Sequence, residues 1–218
     1  MACSGGSLVH IDFADPENPI VEQVKFDMDA YGYNLCITDT KGSHADLTPD
    51  YAAIPKEMKQ VAECFGKKAL REVSKKEIMD NITLIRERAG DCATLRAIHF
   101  VCENECVKKE VKALKQDNFP EFLATVEESG NSSFKYLQNV YTCHDVQHQN
   151  VSIALALSDI IFEKKGVCRV HGGGFAGTIQ ALVPSYLVSV YQTQMNQVFG
   201  EGACEILKIR KYGGIKVL

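Results

Sequence analysis

The chain has 218 residues, 45% of them apolar and 24% charged, and a formal net charge of −4. That length can bury a sizeable core as one large domain or two small ones, and the charge balance offers no basic stripe to neutralise nucleic-acid phosphates. The longest apolar stretch, around Val151 to Phe162, is too short to span a bilayer, so no membrane partner is expected, and Met1-Ala-Cys-Ser-Gly-Gly6 lacks the basic and apolar regions of a signal peptide.

In chain order, Ser7 to Phe13 alternates apolar and polar residues and predicts a strand; Ile20 to Lys25 and Tyr31 to Thr38 predict two more, together a small antiparallel meander. Asp39 to Pro49 is a polar surface loop. From Tyr51 the period becomes helical, with Ile54, Met58, Val61 and Phe65 on one face and Gly66 as the stop. Lys75 to Asn81 reads as a short helix. Thr94 to Leu114 reads as a long one, burying Leu95, Ile98, Val101, Cys102, Val107, Val111 and Leu114. A helix over Asp117 to Ser129 takes Asp117 or Asn118 as N-cap and Pro120 in its first turn. Cys143 to Lys165 predicts a further long helical region with Ile153, Leu157, Ile160 and Ile161 inward. The chain closes as strand (Gly166 to Val170), glycine loop, strand (Thr178 to Pro184), helix (Ser185 to Phe199) and strand (Ala203 to Ile209), half of a split β-α-β unit with helices on one face of a sheet.

Nine cysteines, an odd count without an export signal, read as reduced cytoplasmic thiols. Cys36, Cys92, Cys102, Cys106, Cys168 and Cys204 stand where a small buried residue would. Cys143, His144 and His148 cluster in sequence, but nothing repeats the paired spacing of structural zinc, so no metal site is expected. The glycine loop carries Gly172-x-Gly174-x-x-Gly177, which matches a dinucleotide fingerprint. A Rossmann loop must open a helix, and here a strand follows it, so that reading is rejected. The plain alternative is a tight turn joining two packed strands.

Several blocks, in the right order, resemble galactokinase, a member of the GHMP superfamily of galactokinase, homoserine, mevalonate and phosphomevalonate kinases. Arg169-Val-His-Gly-Gly-Gly-Phe-Ala-Gly-Thr178 looks like the superfamily's third motif, a glycine loop between two strands. Arg96-Ala-Ile-His-Phe-Val-Cys-Glu-Asn-Glu105 resembles a helix of galactokinase with an Arg-Ala-x-His-x-x-x-Glu-Asn pattern. Ser129-Gly-Asn-Ser-Ser-Phe-Lys-Tyr-Leu137 and Met1-Ala-Cys-Ser-Gly-Gly6 are similar to two further family segments, the latter following the catalytic aspartate.

The resemblance implies an α+β fold. Residues 46–218 would form a ferredoxin-like GHMP kinase C-terminal domain, and residues 1–45, with the meander, a remnant of the N-terminal domain. It implies a parent enzyme that phosphorylates galactose or a related sugar at the anomeric hydroxyl with ATP and Mg²⁺. The family's Pro-x-x-x-Gly-Leu-Ser-Ser-Ser-type phosphate loop and Gly-Glu-His-x-Asp sugar segment are not in the sequence, and the catalytic aspartate would lie upstream of Met1. No catalytic residue, no cofactor and no activity are therefore expected of this chain by itself, and self-association through uncovered apolar surface is expected. Tyr51 is the implied sugar-binding residue; the alternative is a tyrosine packed at a helix start. Family members usually follow this tyrosine with two arginines, where this chain has Ile54-Pro-Lys-Glu-Met58, which leaves the sugar open. Gly172, Gly173, Gly174, Phe175 and Gly177 are the implied loop residues, with a shaping role, and His171 either faces the site or packs. Gly5 and Gly6 would allow the turn into the first strand, and Lys164, Lys165 and Arg169 read as a solvated face. A non-catalytic sugar sensor and a stand-alone ferredoxin-like interaction domain are the other readings.

Overall fold

A computed structural model describes residues 6–43 and 46–208 of the chain. Ser7–Asp12 (β1) and Ile20–Lys25 (β2) pair antiparallel, with Leu8 opposite Val24 and Ile11 opposite Val21. The connection is made locally. The Asp12 carboxylate accepts from the Ala14 N–H, and the Asp15 carboxylate accepts from the Glu17 N–H and the Asn18 amide, a run of Asx-type turns.

The third strand, Tyr33–Asp39 (β3), overturns the expected meander. Gly32, left-handed at φ 69°, turns the chain away from the hairpin. β3 then enters a separate antiparallel sheet of order β4-β5-β3-β6, with Val167–Val170 as β4, Thr178–Pro184 as β5 and Cys204–Leu207 as β6. The physical reason lies in its two apolar faces. Cys36 packs with Tyr191 and Met195, while Tyr33 and Leu35 pack against Phe119 and Phe122. A strand covered on both faces takes a central place in a sheet. A division of the chain at 45/46 would separate β3 from strands 130 residues and more downstream that flank it on both sides.

Helix α1, Thr48–Cys64, starts with Pro49 in its first turn and buries Val61 and Ala62 against α3, Ile82–Lys115. α3 begins earlier than its periodicity predicts. Gly90 (φ 88°, ψ 170°) breaks the helical geometry, and the Thr94 hydroxyl donates to the Gly90 carbonyl at 2.7 Å where the helix resumes. Between them α2, Lys75–Asp80, carries a Ser74/Glu77 capping box. Helix α4, Phe119–Ser132, starts as read, with the Asn118 side chain accepting from the Glu121 N–H, and runs into a π-turn at Ser133–Leu137.

The region expected as one helix from Cys143 shortens to α5, Asn150–Phe162, and its inward face matches the predicted one only in part: Leu157 and Ile161 pack against the core, Ile153 and Ile160 do not. Val151, Ala154, Ser158 and Phe162 are buried, whereas Ile153 and Ile160 are 54% and 74% exposed. Ala154 and Ser158, one turn apart, present a small-residue face to the sheet, and the Ser158 hydroxyl is satisfied within the helix by the Ala154 carbonyl at 2.7 Å. Helix α6, Val188–Phe199, covers the same sheet face over Tyr191 and Met195. The mixed helix-and-sheet class expected from the sequence is the one observed. Of the family block at Met1–Gly6, residues 1–5 and with them Gly5 lie outside the described residues, as do Ala45 and Ile209; Gly6 has φ 58°.

Candidate functional site

The turn between β4 and β5 holds its glycines for backbone reasons. Gly172, Gly174 and Gly177 have φ of 71°, 83° and 88°, where side chains with a Cβ are strained. The loop is also approached very closely. A Cβ on Gly174 would lie 2.0 Å from the Asn139 carbonyl oxygen, and one on Gly173 would lie 2.8 Å from the Tyr51 ring. Here it is the protein itself that comes close. The Asn139 carbonyl accepts from the Phe175 N–H at 2.5 Å, and the Asn139 amide donates to the Gly173 carbonyl at 3.2 Å. The Tyr51 hydroxyl donates to the Gly174 carbonyl at 2.8 Å, and its ring meets Phe175 edge-on with centroids 5.3 Å apart. At the far end the Gly177 carbonyl accepts both the N–H (2.8 Å) and the hydroxyl (2.7 Å) of Thr40, which directly follows β3.

Tyr51 therefore sits where the sequence places it, in the first turn of α1, and contacts the predicted glycine loop. Leu47, Phe175 and Ala176 form a buried apolar patch beneath it. Burial of the ring, and then the Asp50 carboxylate, hold the Tyr51 phenol above its ordinary pKa, so it stays a neutral donor. Beside this patch opens a cleft of about 520 Å³ whose lining includes Leu47, Asp50, Thr142, His144, Phe175 and Ala176. The Asp50 carboxylate accepts from the Thr142 hydroxyl at 3.0 Å and lies 3.9 Å from the His144 ring. Lys41, Asp46, Asp145 and His148 also line it, so a small apolar floor meets a charged and polar rim.

Behind the loop runs a polar stripe on α3. Arg96, 6% exposed, pairs with Glu57 of α1 (2.9 Å) and donates from Nε to the Leu137 carbonyl (3.3 Å). One turn on, the His99 ring bonds Ser132 of α4 at 2.9 Å; its burial, with Arg169 nearby, lowers its pKa and keeps it neutral. Glu103 accepts from the Ser129 hydroxyl at 2.6 Å and pairs with Arg169 of β4 at 3.3 Å. Arg169 is thus an internal anchor for the strand entering the loop and corrects the solvated-face reading, while Lys164 and Lys165 are exposed as expected. His171 is exposed and bonds Gln180 across the strands at 2.9 Å.

The structure brings the predicted Tyr51, Gly173, Gly174 and Phe175 into contact; Gly172 and Gly177 belong to the same turn, with Gly177 bonded to Thr40. Sequence reasoning missed Asn139, Thr40, Asp50 and Thr142. Only Asn139 carried a local signal, standing two residues past the family-like block that ends at Leu137. Two of the loop N–H groups, those of Phe175 and Ala176, are used within the protein, on Asn139 and Gly174. Among the described residues no group of three or more His, Cys, Asp or Glu is arranged to hold a metal ion, and no helix is long and apolar enough to cross a membrane.

No protein-family model matches the chain. Its fold is galactokinase-like: the solved galactokinase of Lactococcus lactis complexed with galactose superposes over 97% of this chain and 53% of its own, with a TM-score of 0.72 at 22% identity. Curated relatives carry the likeness to the level of sequence. The galactokinase of Thermotoga petrophila is 30% identical over 179 residues, 81% of this chain and 45% of the relative. That of Glaesserella parasuis is 28% identical over 154 residues, 71% and 38% respectively. The chain spans less than half the length of these curated relatives. It resembles the C-terminal half of a galactokinase, and through that resemblance a kinase-type enzyme.

Proposed function

We propose that this chain forms the ferredoxin-like C-terminal half of a galactokinase-type sugar kinase and supplies one wall of its sugar pocket. The observation that carries the reading is the Tyr51–Gly174 contact: the tyrosine and glycine loop singled out by family resemblance, 123 residues apart, meet through one 2.8 Å hydrogen bond, and their chain neighbours Asp50 and Phe175 line the adjoining cleft. The strand order β4-β5-β3-β6, all antiparallel with two crossovers, supports the ferredoxin-like description. In the complete kinase the sugar's anomeric hydroxyl is the acceptor and MgATP the phosphoryl donor. Such a transfer depends on positioning and charge stabilisation, and the part played by this half is positioning: Tyr51 and the cleft hold the sugar, and the loop fixes Tyr51. The loop shapes the pocket and leaves the triphosphate to other residues, so these 218 residues by themselves catalyse no transfer.

The test is ADP release from MgATP with galactose, glucose or no sugar. It is measured for the chain alone and for the chain mixed with the N-terminal half of a galactokinase. The expected result is no turnover alone and galactose-dependent turnover in the mixture. Turnover by the chain alone overturns the division of labour; a mixture indifferent to galactose overturns the sugar. Phe13 and Ile20, 58% and 67% exposed at the turn end of the hairpin, support self-association of the isolated chain. Light scattering at rising concentration should show a growing mass, and a monodisperse monomer would contradict it.

A further inference from the structure

The Arg96 block singled out in the sequence has no part in the reading above, although it lies close to both walls of the site. Its guanidinium is buried, and a buried charge needs partners of its own. Nη1 meets Glu57 Oε2 at 2.9 Å, and Nε donates to the Leu137 carbonyl at 3.3 Å. The two partners belong to different walls. Glu57 is on α1, the helix that carries Tyr51. Leu137 ends the π-turn, and after a single left-handed residue, Gln138 at φ 57°, comes Asn139, which clamps the glycine loop through Gly173 and Phe175.

We propose that Arg96 is a positioning residue: one guanidinium holds the Tyr51 helix and the Asn139 clamp at a fixed separation, so that the tyrosine hydroxyl falls on the Gly174 carbonyl. Nε donates to the Leu137 carbonyl while the charge of the same planar group faces Glu57 in an ion pair that lacks hydrogen-bond alignment, whereas a lysine ammonium is a point charge on a flexible stem with no donor fixed at the Nε position. Arg96, His99 and Glu103 fall on one stripe of α3, and Glu103 extends the same bracing to β4 through Arg169. The meaning of the device for catalysis rests on the sugar-kinase reading; its geometry does not.

The test uses the full 218-residue chain with 3-fluorotyrosine incorporated. Its Tyr51 fluorine line is assigned with Tyr51→Phe, and exchange of the Phe175 amide hydrogen is followed alongside. Arg96→Lys keeps a charge opposite Glu57 and loses the donation to Leu137. The Phe175 amide should then exchange at least about tenfold faster, the order expected for losing one hydrogen bond, while sheet amides such as Ile37 and Ala181 hold. Glu57→Gln loosens the other arm and should shift the Tyr51 line with a smaller effect at Phe175. Arg96→Met combined with Glu57→Met removes both charges together, and both signals should move. Unchanged signals in these variants, or equal acceleration of every sheet amide, would overturn the inference. Galactose titrated into the unmodified chain separates the two readings. A Tyr51 line that ignores galactose counts against the sugar wall and leaves the positioning role standing.

Discussion

The glycine loop between β4 and β5 and the turn between β1 and β2 are both tight reversals joining antiparallel strands, and they are held in opposite ways. The β1–β2 turn is closed by Asp12 and Asp15 reaching two or three residues along the chain. The glycine loop is closed by Asn139, Tyr51 and Thr40, which lie 34 to 137 residues away. A locally closed turn is set by its own few residues and can open alone. A loop closed from three distant segments is fixed only when the whole fold is, and that suits it to place a recognition side chain reproducibly.

Four substitutions sharpen or break this comparison. The largest effect is expected for Gly174→Ala, which combines a φ of 83° with a methyl group driven into the Asn139 carbonyl; a loss of about 3–5 kcal/mol should appear in urea unfolding. If that variant were as stable as the parent, the clamp would be no clamp. Next comes Glu110 of α3, near Arg169 and Glu103. Burial pushes its carboxyl up to about 7, Glu103 adding to the rise and Arg169 opposing it. Its folded value lies above its unfolded one, so its unfavourable contribution is absent at low pH and grows as pH rises from about 4.5 towards 7. Glu110→Gln should therefore gain stability relative to the parent between pH 5 and 8, by up to about 3 kcal/mol. A difference independent of pH would contradict a raised carboxyl at Glu110. Tyr51→Phe deletes the hydroxyl on the Gly174 carbonyl and should cost about 1 kcal/mol, with faster exchange at the loop amides. Smallest of all, Asp15→Ala, at an exposed local turn, should leave the unfolding midpoint where it was; a large drop there would erase the contrast between the two turns.

What the sequence made legible follows the same division. The strands β1 and β2, the cap of α4 at Asn118 with Pro120, the short helix α2 and the strand-loop-strand around the glycines are all encoded within a few residues, and each was found where it was read. The partner of β3 was not legible, because alternation identifies a strand and is silent about which strand lies beside it. The face of α5 was misread in part because isoleucines at helical spacing outweighed Ala154 and Ser158, the small residues that face the sheet. The stripe of Arg96, His99 and Glu103 was visible only as part of a family-like block; its partners Glu57, Ser132, Ser129 and Arg169 come from distant segments and were not legible. For the site, the tyrosine and the loop were visible through family resemblance, and the asparagine that joins them was not, because its role exists only across the folded distance.

The central place of β3 bears on synthesis at the ribosome. Tyr33–Asp39 is finished early, yet its two neighbours are Thr178–Pro184 and Cys204–Leu207. At ordinary elongation rates the strand waits on the order of ten seconds for the first of them. Through that interval its apolar faces and open backbone edges are available to chaperones or to another nascent chain. The four-stranded sheet is therefore among the last parts of this molecule able to form during translation. A pulling-force profile of stalled nascent chains should stay low until β5 has cleared the exit tunnel.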